Sequence, residues 1–155
     1  IWAGVTVENG DHLDRIDHLR DVPSSIRFIS FEPLIGDLGD VNLQGIHWAI
    51  GGGESGTSFK SLRPVEGEWV VSLKDQCIAQ GVAFFFKQWG RKEFNPVPDD
   101  PSTPRVTKDM SDAEKKFEKS KPKGGNQIDG AVYNEFPQFP IYKLNENKDH
   151  VLATV

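Results

Sequence analysis

The first 90 positions of the chain contain four short apolar runs that are separated by charged or glycine-rich segments. The runs begin at Ile1, Ile26, Ile46 and Val82, and each is rich in β-branched or aromatic residues, a composition typical of β-strands. The apolar residues in them are nearly continuous instead of alternating with polar ones. This pattern predicts strands that are covered on both faces.

Two of the segments between these runs have the spacing of an amphipathic helix. The first spans residues 11–22, and the second spans residues 65–81. The positions that share one helical face are Leu13, Ile16 and Leu19 in the first segment and Trp69, Leu73, Cys77 and Gln80 in the second. Pro23 follows the first segment and Gly81 closes the second, and both residue types end helices. The glycine- and aspartate-rich segment 35–45 predicts a loop.

The order strand, helix, strand, loop, strand, helix, strand predicts an α/β fold, because crossovers of this kind bring consecutive strands into a parallel sheet. Two architectures fit this order. One is a partial (β/α) barrel, and the other is a small doubly wound parallel sheet. A complete eight-stranded barrel needs about 250 residues, so this chain of 155 residues could supply about half of one.

Composition divides the chain into three parts. Residues 1–90 hold the predicted β/α half barrel, and residues 91–127 are an irregular insertion rich in proline and lysine. Within the insertion, Ser111 and Glu114 have the spacing of a capping box and predict the start of a short helix, whose lysines we expect to be solvated. Residues 128–155 begin with an aromatic-rich stretch and are expected to pack back on the domain.

Charge, cysteine and histidine content argue against several classes of function. A net charge of −5 and a pI of about 5.3 disfavour binding to nucleic acid or to an anionic membrane. Cys77 is the single cysteine, and His12 and His18 do not share a helical face, so neither a disulfide nor a metal site is predicted. No apolar run is long enough to span a bilayer, and we expect a cytoplasmic protein. The chain begins at Ile1, inside a strand-like run, which favours a piece of a longer protein.

Polar and charged residues directly follow each of the four apolar runs. Because the carboxyl ends of parallel strands meet at one edge of a sheet, these residues are expected to lie together and to form a binding site. The candidates are Glu8, Glu32, Gly51, Gly52, Gly53, Glu54, Ser55, Lys87 and Gln88. The alternative is that these residues form no binding site, because strands usually end at polar loop residues.

The run "GGGESG", residues 51–56, is the most unusual of these strand ends. Its glycines are predicted to adopt backbone conformations closed to other residues. They would also let a ligand approach the main chain, whose N–H groups can bind a carboxylate or a phosphate. Glu54 would then face a cationic or hydroxyl group of the same ligand. The spacing matches neither a dinucleotide fingerprint nor a P-loop, so a tight turn with a solvated Glu54 is an equal alternative.

Five blocks of the sequence, taken in order, closely resemble the C-terminal part of a domain-of-unknown-function family that was first named from bacteriophage gene products. The blocks are "WAGVTVEN", "IRFISFEPLIG", "IHWAIGGGESG", "SLKDQCIAQGVAFFFKQWG" and "IDGAVYNEFP". They cover most of residues 1–90 and a short stretch near residues 128–137. That family resembles radical S-adenosylmethionine (SAM) enzymes, and its members carry an N-terminal half with a cysteine cluster similar to a 4Fe–4S site.

The resemblance implies about half of a TIM-type barrel, from a protein that uses SAM and a 4Fe–4S cluster. In the intact protein the cluster would reduce SAM to a radical that abstracts hydrogen from an unknown substrate. The positions carried over to the cofactor pocket are Glu8, Glu32, Gly51, Gly52, Gly53, Glu54 and Ser55, and those carried over to substrate contacts are Lys87 and Gln88. This chain lacks the cysteine-bearing half, so the resemblance implies neither cluster binding nor catalysis by the chain alone.

The missing cysteine-bearing half is one departure from radical SAM enzymes, and the position of a Gly-Gly-Glu motif is a second. Their Gly-Gly-Glu motif follows an early strand, whereas the one here follows a late strand, so the two are not equated. Two other functions stay open from the sequence: a nucleotide- or phosphate-binding module at "GGGESG", and a non-catalytic, phage-associated interaction protein. The sequence does not say whether the substrate is a small molecule or a macromolecule. A homodimer through an exposed edge of the first strand is also compatible with a half barrel.

Overall fold

The computed structural model describes residues 1–56, 61–97, 99–138, 142–144 and 150–152, and it has an α/β architecture. The strands of the main sheet are β1 (Trp2–Thr6), β2 (Ile26–Phe31), β3 (Trp48–Gly52) and β4 (Ala83–Gln88). Two antiparallel pairs are formed by β5 (Gln127–Ile128) with β6 (Ala131–Val132), and by β7 (Tyr142–Leu144) with β8 (His150–Leu152). The α-helices are α1 (Asp14–Arg20), α2 (Gly67–Ala79) and α3 (Asp112–Ser120).

The main sheet is parallel throughout, and its strand order follows the chain, β1–β2–β3–β4. The carboxyl ends of all four strands therefore meet at one edge, which we call the carboxyl edge. The α/β class and the parallel sheet that the sequence predicts are confirmed. The described residues form no closed barrel, and a sheet of this size is also compatible with the small doubly wound alternative.

Helices α1 and α2 pack against the same face of the main sheet, and the hydrophobic core lies between them and the strands. The buried helix residues are Ile16 and Leu19 in α1 and Val70, Leu73 and Cys77 in α2. Among the strand residues that they pack with are Ile29, Phe31, Ala49, Phe84 and Phe86. Burying a side chain such as Leu73 or Phe84 contributes about 2 kcal/mol to stability. The core position of Cys77 is confirmed, and so are the predicted helical faces, except at Gln80, which is exposed.

The loop between β2 and β3 lies along α2, in the place that a crossover helix would occupy. Gln76 accepts a hydrogen bond from Val41 N at 2.6 Å and donates one to Gly39 O at 2.9 Å. One helical turn later, Gln80 accepts from Leu43 N at 2.8 Å and donates to Val41 O at 2.9 Å. Gln80 is therefore exposed instead of buried, and its amide binds the backbone of the loop.

The opposite face of the main sheet carries no helix among the described residues, and we call it the helix-free face. Near the amino ends of the strands it is aromatic: the Trp48 ring contacts those of Trp2 and Phe85 edge-on, with centroids 6.0 and 6.2 Å apart. Phe136 lies over this cluster, 5.2 Å from the Trp48 ring. Trp2 is 43% exposed and Phe136 is 60% exposed. The apolar runs predict strands covered on both faces, whereas the described helices cover only one.

Residues 133–135 pair with the outer edge of β4 in the antiparallel direction. Phe86 N donates to Tyr133 O at 2.9 Å, and Glu135 N donates to Phe84 O at 3.0 Å. The Glu135 carboxylate also accepts a hydrogen bond from Phe84 N at 3.0 Å. This edge is thus covered, whereas β1 pairs only with β2 in the described part of the chain.

Helix α3 begins where the sequence predicts it. Ser111 Oγ accepts a hydrogen bond from Glu114 N at 3.3 Å, and the Glu114 carboxylate accepts one from Ser111 N at 2.7 Å, which completes the capping box. None of the helix residues is buried. Neither this helix nor any other in the described ranges is long and apolar enough to cross a lipid bilayer.

Asp100 holds distant parts of the segment 91–127 together, and it is the one charged residue that is buried in the described part of the chain. One carboxylate oxygen accepts hydrogen bonds from the Ser102 N–H at 2.7 Å and hydroxyl at 2.6 Å. The other accepts from Asn95 Nδ2 at 2.8 Å and Gln127 N at 3.3 Å. Burial raises the pKa of Asp100, but these hydrogen bonds outweigh burial and hold the pKa below its ordinary value.

Replacing Asp100 with asparagine is expected to lower the free energy of unfolding by about 2 kcal/mol at neutral pH, since the new NH₂ group faces donors. The folded-state pKa of Asp100 is lowered, so its stabilisation is fully present above the unfolded-state pKa of about 3.9 and is lost as the pH falls through the folded-state pKa. Urea unfolding of both proteins at a series of pH values measures this. The difference in unfolding free energy between the two proteins should shrink in acid. A difference that does not change with pH would contradict the stabilising role of the ionised Asp100 carboxylate. Asp40→Asn, at an exposed position, is the control.

Candidate functional site

Three glutamates stand at the carboxyl edge, and each has a basic side chain beside it. The pairs are Glu8 with Arg15, Glu32 with Lys87 and Glu54 with Arg63, with N–O distances of 3.0, 3.3 and 2.7 Å. Each carboxylate therefore has an intramolecular counter-charge. A ligand would have to bind beside these ion pairs or displace one of the side chains that form them.

Glu32 and Lys87 lie on the helix-free face at this edge. One oxygen of Glu32 accepts a hydrogen bond from Ser30 Oγ at 3.2 Å, and the other is 3.3 Å from Lys87 Nζ. The carboxylate also lies over Gly52, where a Cβ atom would come within 2.7 Å of it. The Glu32 side chain is 18% exposed and that of Lys87 is 58% exposed. Glu32 is thus held in place by its neighbours, while the ammonium group of Lys87 is open to solvent.

Glu8 follows β1 and is held by Arg15 of α1. Arg15 Nη1 donates to the Glu8 carboxylate at 3.0 Å and to Thr6 O at 2.9 Å. Burial raises the pKa of Glu8, but hydrogen bonds and the positive charge of Arg15 outweigh it, so the pKa lies below its ordinary value. Glu8 is therefore ionised at neutral pH and links β1 to the helix that follows it.

Glu54 follows β3 and binds Arg63 through three hydrogen bonds. The guanidinium group donates at 2.7 and 3.1 Å, and Arg63 N donates at 2.8 Å. These hydrogen bonds lower the pKa of Glu54. The same hydrogen bonds to Glu54 raise the pKa of the Arg63 guanidinium group, and the negative charges of Glu54 and Glu8 raise it further. Glu54 thus joins two parts of the loop that follows β3, and Ser55 next to it is exposed.

The three glycines are explained by the space around them. Gly51 lies under Leu73 and Phe84, and Gly52 lies under the Glu32 carboxylate. At Gly53 a Cβ atom would lie 2.3 Å from the carbonyl oxygen of Trp89. None of the three has a positive φ, so the prediction that they adopt conformations closed to other residues is wrong. Gly53 N donates to the carbonyl oxygen of residue 88 at 2.8 Å, so this N–H group is not available to a phosphate.

The last two candidates differ in their surroundings, although they are adjacent in β4. Lys87 lies beside Glu32, as described above. The side-chain oxygen of Gln88 accepts a hydrogen bond from Lys123 N at 3.3 Å. Gln88 therefore holds the segment 91–127, and only Lys87 of this pair is free to take part in a site with Glu32.

Sequence reasoning named Lys87, the partner of Glu32, among the candidates, but it missed the other partners of the candidate residues. Ser30 had a usable signal, because it lies two positions before Glu32 in an extended strand and so points to the same face. No signal in the sequence points to Arg15 or Arg63, because their contacts depend on how a helix and a loop fold over the carboxyl edge.

The ligands that a 4Fe–4S cluster needs are not among the described residues. No group of three or more His, Cys, Asp or Glu side chains is placed there to hold a metal ion. Cys77 is buried, and burial raises the pKa of its thiol to about 12, which keeps it protonated. A cluster of this type needs several thiolates, so these residues do not fit one.

A family model matches residues 1–137, and its description is Protein of unknown function (DUF5131). The matched range contains the four strands of the main sheet, helices α1 to α3 and all the candidate residues. No curated protein and no solved structure matches the chain. The family description states no activity, so the geometry of the sheet has to supply the functional argument.

Proposed function

The chain belongs to the family described as Protein of unknown function (DUF5131), and from the geometry of its sheet we propose that it is the C-terminal part of a radical-SAM-like (β/α) barrel. In this proposal its helix-free face lines a pocket for SAM and a substrate. The substrate contacts would come from residues at the carboxyl edge, where barrel enzymes bind their ligands. The chain alone is not expected to be catalytic.

The helix-free face is the observation that carries the proposal. Four parallel strands in chain order, with α1 and α2 on one face, are wound in a single direction, as in a (β/α) barrel. A doubly wound sheet has helices on both faces and reverses its strand order. The outer edge of β1, which pairs with no strand in the described part of the chain, is where further strands of a barrel would pair. These features favour the partial barrel over the doubly wound alternative.

The distribution of polar groups on this face also supports the proposal. Towards the amino ends of the strands the face is aromatic, which suits the packed interior layers of a barrel. At the carboxyl edge it carries the hydroxyl of Ser30, the fixed carboxylate of Glu32 and the ammonium of Lys87. A carboxylate held in this way can accept hydrogen bonds from a ribose diol or an ammonium group, and an exposed lysine can bind an anionic group. SAM has a ribose diol and an ammonium group, which suit Glu32, whereas Lys87 is assigned to an anionic group of the substrate.

The proposal divides the chemistry between this chain and the rest of an intact protein. SAM, when bound beside an iron–sulfur cluster, supplies radical chemistry. The thiolates for that cluster would have to come from outside the described residues, since the donors there do not fit it. Glu32 and Lys87 would orient the bound molecules, and the aromatic layer would exclude water from one side of the pocket.

The proposal is tested by SAM binding to the intact protein, with all coding sequence upstream of Ile1. We expect that sequence to encode further β/α units with closely grouped cysteines. SAM should then raise the melting temperature, by the equivalent of about 2.7 kcal/mol at one hundred times its dissociation constant. Glu32→Gln keeps the shape of the side chain but removes its charge, and it should weaken SAM binding about tenfold.

Matched controls separate the pocket from general stability. Asp40→Asn removes a charge from an exposed loop position and should leave SAM binding unchanged. Lys87→Met should alter the binding of substrate more than that of SAM. If no β/α units precede Ile1, or if SAM leaves the melting temperature unchanged at every concentration, the proposal fails.

A further inference from the structure

A groove lies on the helix side of the molecule, between α2 and the β5–β6 hairpin. Its volume is about 540 Å³. Its apolar floor is formed at the surface by Val71, Pro96 and Val97, with the buried side chains of Trp89 and Ile128 beneath them. Its rim carries three carboxylates, those of Glu68, Asp75 and Asp129. The groove is on the face opposite to the proposed SAM pocket, so the two can be tested independently.

The rim of this groove has a net negative charge. Asp75 pairs with Lys74 at 2.9 Å, and the ammonium group of Lys74 also lies over the Tyr133 ring. Glu68 and Asp129 form no ion pair or hydrogen bond through their side chains with other described residues. The charge of Lys74 also attracts Asp129, so one ammonium group serves two of the three carboxylates and the rim keeps an excess of negative charge. An apolar floor below this rim suits an occupant that combines an apolar side chain with a positive charge.

Helix α3 has the complementary character and packs on little of its own chain. It has nine residues, none of them buried. Its inner side is attached through polar contacts, such as that of Glu118 with Arg105 N at 2.7 Å. Its outer side is an exposed stripe at positions i, i+3, i+4 and i+7, formed by Ala113, Lys116, Phe117 and Ser120. Phe117 is 64% exposed.

Phe117 stands at the centre of this stripe, where the ammonium group of Lys121 lies 5.4 Å from its ring centroid and the rest of the ring surface is open. A helix of nine residues is marginal by itself, and most helices of this length are stabilised by burying one face. The stripe of α3 has the spacing by which amphipathic helices dock into apolar grooves. Lys116, next to Phe117 on this stripe, forms no ion pair with the described residues.

We propose that α3 of one copy of this chain docks in the acidic groove of a second copy. Phe117 fills the apolar floor between Val71 and Ile128, and Lys116 lies against Glu68 and Asp129 on the rim. The occupant is assigned to a second copy because the groove and α3, which are complementary in charge and polarity, belong to the same chain. Such a contact closes into a twofold dimer when it is reciprocated and otherwise extends from copy to copy.

The proposal is tested by the self-association of the full 155-residue chain, measured by sedimentation equilibrium over a range of concentrations. We expect reversible association with a concentration-dependent mass. Phe117→Ala should weaken the association about tenfold, as expected for a central anchor residue. Lys116→Glu and Glu68→Lys should each weaken it as well. A mixture of the Lys116→Glu and Glu68→Lys proteins should recover association, because both interfaces of a mixed pair then join opposite charges, one in the native sense and one in the inverted sense.

Control substitutions of equal charge distinguish this contact from general electrostatics. Lys92→Glu and Asp40→Lys change exposed residues outside the groove and outside α3, and they should leave the association unchanged. The variants at Phe117 and Lys116 lie on an exposed surface, so circular dichroism should show an intact fold. A monomer at every concentration would overturn the proposal. So would association that is unaffected by Phe117→Ala, because another surface would then be responsible.

Discussion

Replacing Gly53 with alanine is expected to lower the free energy of unfolding by about 3 kcal/mol or more. The new methyl group would lie 2.3 Å from the carbonyl oxygen of Trp89 and 2.8 Å from a methyl group of Val65. Backbone forms one side of this clash, so no side-chain rotation relieves it. Urea denaturation followed by tryptophan fluorescence measures the loss, with the midpoint falling and the slope staying constant.

The matched control for this prediction is Gly51→Ala, two positions earlier in the same glycine run. A methyl group at Gly51 meets Leu73 and Phe84 at 3.4 Å, which is close to ordinary contact. Its effect on stability should stay within about 1 kcal/mol, since alanine also reduces the entropy of the unfolded chain. If Gly53→Ala were as stable as wild type, the ends of β3 and β4 could separate, and a role for Gly53 in ligand binding would regain support.

Replacing Trp89 with alanine is expected to cost about 4 kcal/mol of unfolding free energy. Trp89 has no exposed surface, and its ring packs on that of Phe86 with centroids 4.8 Å apart. Its indole N–H donates to Gln127 O at 2.9 Å, so it also attaches the β5–β6 hairpin to the carboxyl edge. Removing it leaves a cavity and an unpaired carbonyl group. Hydrogen exchange should show loss of protection in residues 125–132 as well as a lower global stability.

Trp89→Phe separates the two contributions of this side chain. The phenyl ring keeps most of the packing, and the indole hydrogen bond is lost, so we expect a cost of about 1–2 kcal/mol. Exchange should then increase mainly near Gln127. If Trp89→Ala and Trp89→Phe had the same effect, packing in the core would contribute little, in conflict with the complete burial of the ring.

The carboxyl edge therefore combines two kinds of residue. Gly53 and Trp89 are needed for the close approach of β3 and β4, and substitutions there report on folding. Glu32 and Lys87 face the helix-free side, and their substitution should change binding more than stability. A functional screen that replaces every residue of the "GGGESG" run would confuse these two effects. Substitutions at Glu32 and Lys87 avoid that confusion.

The local sequence determined the elements of the fold. The four apolar runs became β1 to β4, and the helical face with Leu73 and Cys77 became the buried face of α2. The capping box at Ser111 marks the start of α3. These features depend on periodicity and on contacts within a few residues, which a single sequence displays directly. The parallel sheet followed from the alternation of strands and helices.

The strand-end candidates were predicted only as a group. Parallel topology is enough to bring Glu8, Glu32 and Glu54 to one edge, and the structure has them there. It is not enough to say that Glu54 is bound by Arg63 or that Gln88 holds the backbone of residue 123. These partners are separated by loops whose course depends on packing elsewhere in the protein.

What the sequence by itself determined is the class of fold and the edge at which polar groups collect, because both follow from short-range patterns. What only the tertiary structure decided is the role of each residue at that edge. The glycines of "GGGESG" make room for Leu73, Glu32 and the backbone at Trp89, and such steric limits arise only when strands lie side by side. The helix-free face was likewise invisible in the sequence. A continuous apolar strand has the same composition whether a helix, a second set of strands or a ligand covers its second face.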